Sequence, residues 1–188
     1  MGLSLKTDAR MSADAYMTWY DDQPDGKRYE LFDGLVYEMQ SERLIHGEIK
    51  IRVAEIFRRQ IRERALPCHA LGDGMAVKVD DETIFEPDVV LRCGPKLPRN
   101  TTLIKDPMIV VEVASPSTRR IDAFQKFLRY FRNPSIIHYL IVIPTKESAF
   151  HHRRMADGQI VTRGYETGII RFDPPGVELD LAEVWAEI

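Results

Sequence analysis

Three things are scarce in this chain of 188 residues. Cysteine occurs only as Cys68 and Cys93, without a CxxC pairing, which argues against a disulfide framework or a zinc site. No apolar run reaches the roughly 20 residues of a membrane span, and no basic segment leads into an apolar stretch at the N-terminus. Net positive charge is missing too: 26 Lys and Arg face 29 Asp and Glu, a formal charge of −3. That excludes a globally basic nucleic-acid coat while leaving room for a local basic groove. With no internal repeats or low-complexity tracts, what is present is ordinary globular composition, 44% hydrophobic and 29% charged. The expectation is a single domain over 1–188 in a reducing cytoplasm, with an N-terminal arm at 1–27 and a core from about 28 onward.

In the arm, Ser12 is placed to cap a short helix presenting Tyr16, Trp19 and Tyr20. Residues 28–39 predict a hairpin, because Asp33-Gly34 supplies the positive φ angles of a two-residue turn. Ile45, Ile49, Val53, Ile56 or Phe57, and Ile61 recur at helical spacing and predict a long helix over 41–64. Its other face carries Glu48, Lys50, Arg52, Glu55, Arg58, Arg59 and Arg62, which reads as a solvated charged face. Residues 67–79 and 83–91 read as strands that pair through Asp80-Asp81, and 107–115 as a central strand buried on both faces. A second long helix follows to about Phe131, with Ile121, Phe124, Leu128 and Phe131 as its apolar stripe and Asn133-Pro134 as its stop. Strand 136–143 and a C-terminal meander of shorter strands complete the chain. The order predicts an α/β (α+β) fold, a mixed β-sheet flanked by two long helices.

Two carboxylates stand out because each interrupts an apolar strand, where an ionised group must be satisfied. They are Asp88, in Glu86-Pro87-Asp88-Val89-Val90, and Glu112, in Ile109-Val110-Val111-Glu112-Val113. Strand alternation puts Met108, Val110, Glu112 and Ala114 on one face. If Asp88 joins that face, the pair could share a divalent cation, and Mg²⁺ suits one or two carboxylates completed by water and phosphate. A salt-bridged pair is the alternative. His46, near the start of the first long helix, either approaches a substrate phosphate or is a surface histidine. In His151-His152-Arg153-Arg154 neighbouring side chains face opposite ways, so the run reads as an exposed basic strand rather than a metal tract.

Tyr29-Glu30-Leu31-Phe32-Asp33-Gly34, then Glu86-Pro87-Asp88-Val89-Val90, then Val111 to Thr118 resemble the signature blocks of the Uma family. These are small bacterial proteins of restriction-endonuclease-like fold, within the PD-(D/E)xK nuclease superfamily. Asp122, Lys126 and Tyr130, followed by Ser135 to Tyr139, resemble that family's next helix and strand, and the likeness runs from about Met11 to the C-terminus. The resemblance implies a restriction-endonuclease-like core with an N-terminal hairpin, and a metal-dependent DNA-cleaving site held by Asp88 and Glu112. The superfamily's usual lysine, two residues after the glutamate, is replaced by Ala114. The family is thought to supply it from the following helix, where Lys126 matches and Gln125 is the fallback. Glu30 matches an upstream acidic residue that completes the metal shell or binds a second ion, and His46 a histidine of the first helix; on its residues alone Glu30 reads equally as a hairpin-strand glutamate paired with Arg28 or another cation.

These readings converge on a Mg²⁺-dependent endonuclease, with Mn²⁺ as a substitute, acting on DNA phosphodiesters. Asp88, Glu112 and the main-chain carbonyl of Val113 would hold the metal, and Lys126 would orient the attacking water. His46, Arg119, Arg120 and Lys105 would contact phosphates, and a homodimer would address two strands. The alternative is a catalytically inactive nuclease-fold DNA-binding or interaction module, which Ala114 in the usual lysine position leaves open. No membrane association is expected.

Overall fold

The computed structural model describes residues 3–7, 9–24, 26–114 and 120–186, with side chains omitted for 3–5 and 120–124. The elements run β1 (Leu3–Leu5), α1 (Ala13–Asp21), β2 (Tyr29–Phe32), β3 (Leu35–Met39), α2 (Leu44–Glu63), β4 (Cys68–Leu71) and β5 (Ala76–Asp80). They continue with β6 (Thr83–Phe85), β7 (Val89–Cys93), β8 (Leu103–Ile104), β9 (Ile109–Val113), α3 (Arg120–Tyr130), β10 (His138–Ile143) and β11 (Ser148–Arg154). Last come β12 (Ile160–Tyr165), β13 (Ile169–Phe172), β14 (Val177–Asp180) and α4 (Leu181–Trp185). Among the described residues, no helix is long and apolar enough to cross a membrane.

The fold is mixed α+β, but the one sheet expected from sequence is two. The first is ordered β1-β3-β2-β6-β5-β8 and the second β12-β11-β10-β9-β7-β4, with β13-β14 as a separate hairpin. Both sheets are mixed, since β9 pairs parallel with β10 and β5 with β8 while the other pairings are antiparallel. Pro87 explains much of the difference. It has no N–H to give to a ladder, and the expected strand 83–91 breaks at Glu86-Pro87 into β6 of the first sheet and β7 of the second. The expected strand 67–79 likewise divides at Gly72-Asp73-Gly74, with Gly74 at φ +87°, into β4 and β5 of different sheets. The pairing through Asp80-Asp81 survives as the β5–β6 hairpin.

The second sheet is the middle layer. On one face Ile49, Val53, Ile56 and Phe57 of α2 pack against Val89, Leu91, Ile109, Val111, Leu140 and Val142. At about 1.5–3 kcal/mol per fully buried side chain, those four α2 residues contribute on the order of 6–12 kcal/mol before entropy is counted. On the other face Val90, Val110, Tyr139 and Ile141 meet Val77, Phe85 and Ile104 of the first sheet and Tyr130 of α3. Met108, expected on the Glu112 face, precedes β9 and packs with the α2 side. Cys68 and Cys93 are directly opposed in the β4–β7 register and are joined as a disulfide. This corrects the expectation drawn from their number and spacing, because strand pairing brings together residues that spacing keeps apart.

Local expectations hold at several turns and caps. Asp33 and Gly34 take φ +47° and +80° in the β2–β3 turn. Ser12 Oγ accepts from Ala15 N at the start of α1, whose buried Tyr16 donates its hydroxyl to the Tyr29 carbonyl at 2.7 Å. The start of α2 falls three residues later than expected, after Arg43, which gives no side-chain cap.

Candidate active site

The chain crosses from the first sheet to the second at Asp88, so the backbone itself sets this carboxylate. Asp88 N donates to the Val111 carbonyl at 3.0 Å, extending the ladder that pairs Val89 with Val111 and Val90 with Val110. One step further, the register brings Asp88 beside Glu112. Asp88 Oδ2 accepts from Val113 N at 2.5 Å, which fixes the carboxylate against the end of β9. Because Val111 and Val113 are buried toward α2, Glu112 turns the other way, toward α3.

From α3, Lys126 Nζ donates to Glu112 Oε1 at 3.0 Å and to Glu30 Oε1 at 2.8 Å. Tyr130, one turn on, donates its hydroxyl to the same Glu112 oxygen at 2.7 Å. Glu30 is fully buried on β2; its Oε1 also accepts from Glu86 N at 2.9 Å, and its Oε2 is buried without a partner. Lys126 matches the site by resemblance alone, while the apolar stripe of its helix is expected at Ile121, Phe124, Leu128 and Phe131. In the structure the buried side of α3 is rotated, with Lys126 and Tyr130 buried and Leu128 46% exposed. The aromatic rings of Phe85 and Tyr130, which line the interface with the first sheet, pull that side inward.

A second lysine was missed. Lys50, assigned to the solvated face of α2, is buried and reaches Asp88 Oδ1 at 2.8 Å as an ion pair without the alignment of a good hydrogen bond. It also meets Glu42 and, at 3.3 Å, Asp73 Oδ2. Arg28 links Asp73 to Glu86, with Nε 2.9 Å from Glu86 Oε2. The available signal was position: Lys50 directly follows Ile49 on the flank of the buried stripe and lies one turn beyond His46. His46 is itself buried, correcting the surface reading. Its Nε2 stands 3.2 Å from the Ala114 carbonyl and its Nδ1 is buried without a partner, so it steadies the chain just beyond Glu112.

The other sequence candidates lie apart. Lys105 is exposed ahead of the opposite end of β9, where its carbonyl accepts from Asn133 Nδ2 at 3.0 Å. Arg119 lies outside the described residues, and Arg120 begins α3 with its side chain outside the description. The basic strand is only partly exposed, since His151 is buried.

The network carries six carboxylates (Glu30, Glu42, Asp73, Glu86, Asp88, Glu112) against three cations (Arg28, Lys50, Lys126). That excess raises acid pKa values. Burial pushes Asp88 up to about 7, the charge of Glu112 adds to the rise, and Lys50 opposes it. Burial also raises Glu30, against the pull of Lys126. Burial alone would discharge Lys126, but Glu112 and Glu30 overcome it and hold the ammonium firmly protonated. Burial and Glu112 likewise keep Tyr130 a phenol.

A hard divalent cation fits this donor set. The orphaned, buried Glu30 Oε2 and the poorly satisfied Asp88 Oδ1 are oxygen donors in a region of unmet negative charge. Among the described residues no three His, Cys, Asp or Glu side chains form a ready-made cage. Such a cation would therefore be held by one or two carboxylates, with water and substrate oxygens completing its shell.

Comparison with known proteins follows the same line. Residues 13–182 match the family model of Uma2, described as "Putative restriction endonuclease". The protein slr1290 of Synechocystis sp. is 28% identical over 158 residues, covering 84% of this chain and 81% of that one. A crystal structure from Anabaena variabilis, described as a "putative nuclease belonging to DUF820", superposes with a TM-score of 0.76 at 12% identity. It covers 94% of this chain and 98% of its own, and at that identity it speaks to the fold alone.

Proposed function

Because the chain belongs to the Uma2 family and has a restriction-endonuclease-like fold, we propose that it is a Mg²⁺-dependent endonuclease hydrolysing DNA phosphodiester bonds. The observation that carries this reading is the position of Lys126, whose ammonium contacts both Glu30 and Glu112 beside Asp88. A helix thus delivers the positive charge that Ala114 does not.

In this mechanism Asp88, Glu112 and the Val113 carbonyl would hold the cation, which would supply Lewis-acid stabilisation of a phosphoryl oxygen and lower the pKa of a bound water. The ammonium of Lys126 orients the attacking water and offsets negative charge as it develops on phosphate. Glu30 aims Lys126 and keeps it charged. Tyr130 fixes the Glu112 oxygen that Lys126 also contacts, and Lys50 balances the buried charge of Asp88. A symmetric homodimer would present two such sites to the two strands.

The test is cleavage of supercoiled plasmid by the wild type and by Asp88→Ala, with Mg²⁺, Mn²⁺ or EDTA. Nicking by the wild type that needs the metal and disappears in the variant supports the reading. Equal activity in both proteins overturns the Asp88-centred mechanism, and no activity from a wild type that still binds DNA assigns the chain to non-catalytic DNA binding instead.

A further inference from the structure

On the face of the second sheet opposite Glu112, β11, β12 and β13 enclose a pocket of about 300 Å³. Strand register sets His151 against Arg163 and Arg153 against Val161, while Arg171 approaches from β13. Three guanidinium groups line the pocket and no carboxylate does. Arg163 meets no carboxylate among the described residues. Arg153 gives Nη2 to the Asp173 carbonyl at 2.5 Å and leaves a buried Nε without a partner. Arg171 has Glu178 at 3.0 Å, but that carboxylate is shared with Arg64 at 3.6 Å. The exposed Met155, Val161 and Ile169 form an apolar wall beside the cations.

Behind the arginines the two buried histidines have their tautomers set by their partners. The Pro174 carbonyl can only accept, so His138 Nε2, 2.9 Å away, carries a proton and its Nδ1 is an acceptor. His151 Nε2, 2.9 Å from that Nδ1, is therefore a donor. This leaves His151 Nδ1 as a lone pair with no partner among the described residues, on a side chain that lines the pocket.

We propose that this pocket binds a phosphomonoester dianion, and that His151 takes up a proton as it binds. Guanidinium forks from three strands match phosphate oxygens, and the unpartnered Arg153 Nε supplies a buried donor. The titratable and charged groups around His151 are His138 from β10, Arg153 of its own strand, Arg163 and Tyr165 from β12 and Arg171 from β13, with Glu178 of β14 behind Arg171 and His152 on the opposite face of β11. Without an anion, burial and then His138, His152, Arg153 and Arg163 push the His151 imidazole down to about 3. A dianion among the arginines reverses the local field and favours the protonated ring. The volume exceeds that of phosphate alone, and the apolar wall suits the base of a nucleoside monophosphate, free or at the end of a nucleic-acid strand. This inference is independent of the nuclease reading.

Calorimetric titrations near pH 6, in two buffers of different ionisation enthalpy, test it with inorganic phosphate, adenosine monophosphate and an oligonucleotide carrying or lacking a 5′-phosphate. His151 resonances are followed by NMR. The expected result is one site per chain, a shifted His151 ring, a proton balance more positive than the release set by the phosphate's own second ionisation, with a pKa of about 6, and binding at least roughly tenfold weaker in Arg163→Ala. Since Arg163 is exposed, unfolding of that variant should match the wild type. Binding of the mononucleotide identifies a free nucleotide as the source, and binding confined to the phosphorylated oligonucleotide identifies a strand end. The proposal is overturned if none of these ligands binds at about millimolar concentration, if Arg163→Ala binds as the wild type does, or if the proton balance is that of the phosphate alone and the His151 ring does not move.

Discussion

Replacing Lys126 by Met isolates the electrostatics of the site, because it keeps the aliphatic stem and removes only the charge and its hydrogen bonds. Glu30 is then left fully buried with the Glu86 N–H on Oε1 and nothing on Oε2. Breaking a buried ion pair from one side costs about 3–5 kcal/mol, which for a chain of this size lowers Tm by about 6–20 °C. The loss must depend on pH. Burial already raises Glu30 above its ordinary carboxylate range, and without Lys126 it rises further. Between the unfolded and folded pKa the folded state holds a proton that the unfolded state has released, so stability falls as pH increases across that window. The deficit of Lys126→Met should therefore grow from pH 5 to pH 8, by up to about 1.4 kcal/mol per pH unit. Adding Glu30→Gln should recover most of it, since Gln can keep the Glu86 contact and carries no charge. Urea unfolding of the wild type, single and double variants at several pH values measures this. A deficit that is constant with pH and unrelieved in the double variant refutes the account.

The remaining predictions probe the same network and its surroundings. Glu112→Gln keeps an acceptor for Lys126 and Tyr130, so in EDTA its unfolding free energy should stay within about 1–2 kcal/mol of wild type. It should lose most of the stabilisation that Mg²⁺ gives, about 2.7 kcal/mol at a hundredfold excess over Kd, as thermal scans with and without metal would show. Tyr130→Phe removes one bond to a charged acceptor and should cost about 1.5–3 kcal/mol; if cleavage is observed, kcat should fall while DNA binding by anisotropy is retained. Burial pushes His152 down to about 4, so the folded state lacks a proton that the unfolded state binds, and stability is lost as pH falls below about 6.5. His152→Phe, stacked in the same place against Tyr139 and Phe127, should flatten the acid limb of a Tm–pH profile.

Much of the local structure was legible because it rests on short-range rules. Ser12, Asp33-Gly34 and Asn133-Pro134 marked a cap, a turn and a stop that each depend on adjacent residues. The apolar periodicity of α2 and the buried run of β9 gave the central elements. Long-range placement was not legible. Nothing within Thr83–Leu91 announced that Pro87 would divide the run between two sheets, although the missing donor is the reason it does. Lys50 read as solvated because it falls outside the apolar stripe, and Lys126 matched the site by family resemblance alone, whereas each is held inside by carboxylates from strands or loops. His46 was misplaced for the same reason: its partner, the Ala114 carbonyl, lies 68 residues away.

The positions of these lysines also explain how the acidic pair can be tolerated before any substrate arrives. Asp88 and Glu112 are brought together by strand register, and Glu30 stands nearby with an orphaned oxygen, an arrangement that favours protonation over charge. Two buried ammonium groups answer most of that cost from separate helices, Lys50 on Asp88 and Lys126 on Glu30 and Glu112. Their compensation is incomplete, which is why Asp88 and Glu30 still sit above their usual range. Replacing buried ion pairs by apolar residues of similar volume is often neutral or stabilising. Under the proposed function, the carboxylate excess is stability given up in favour of a place where a cation and a phosphate would be held together.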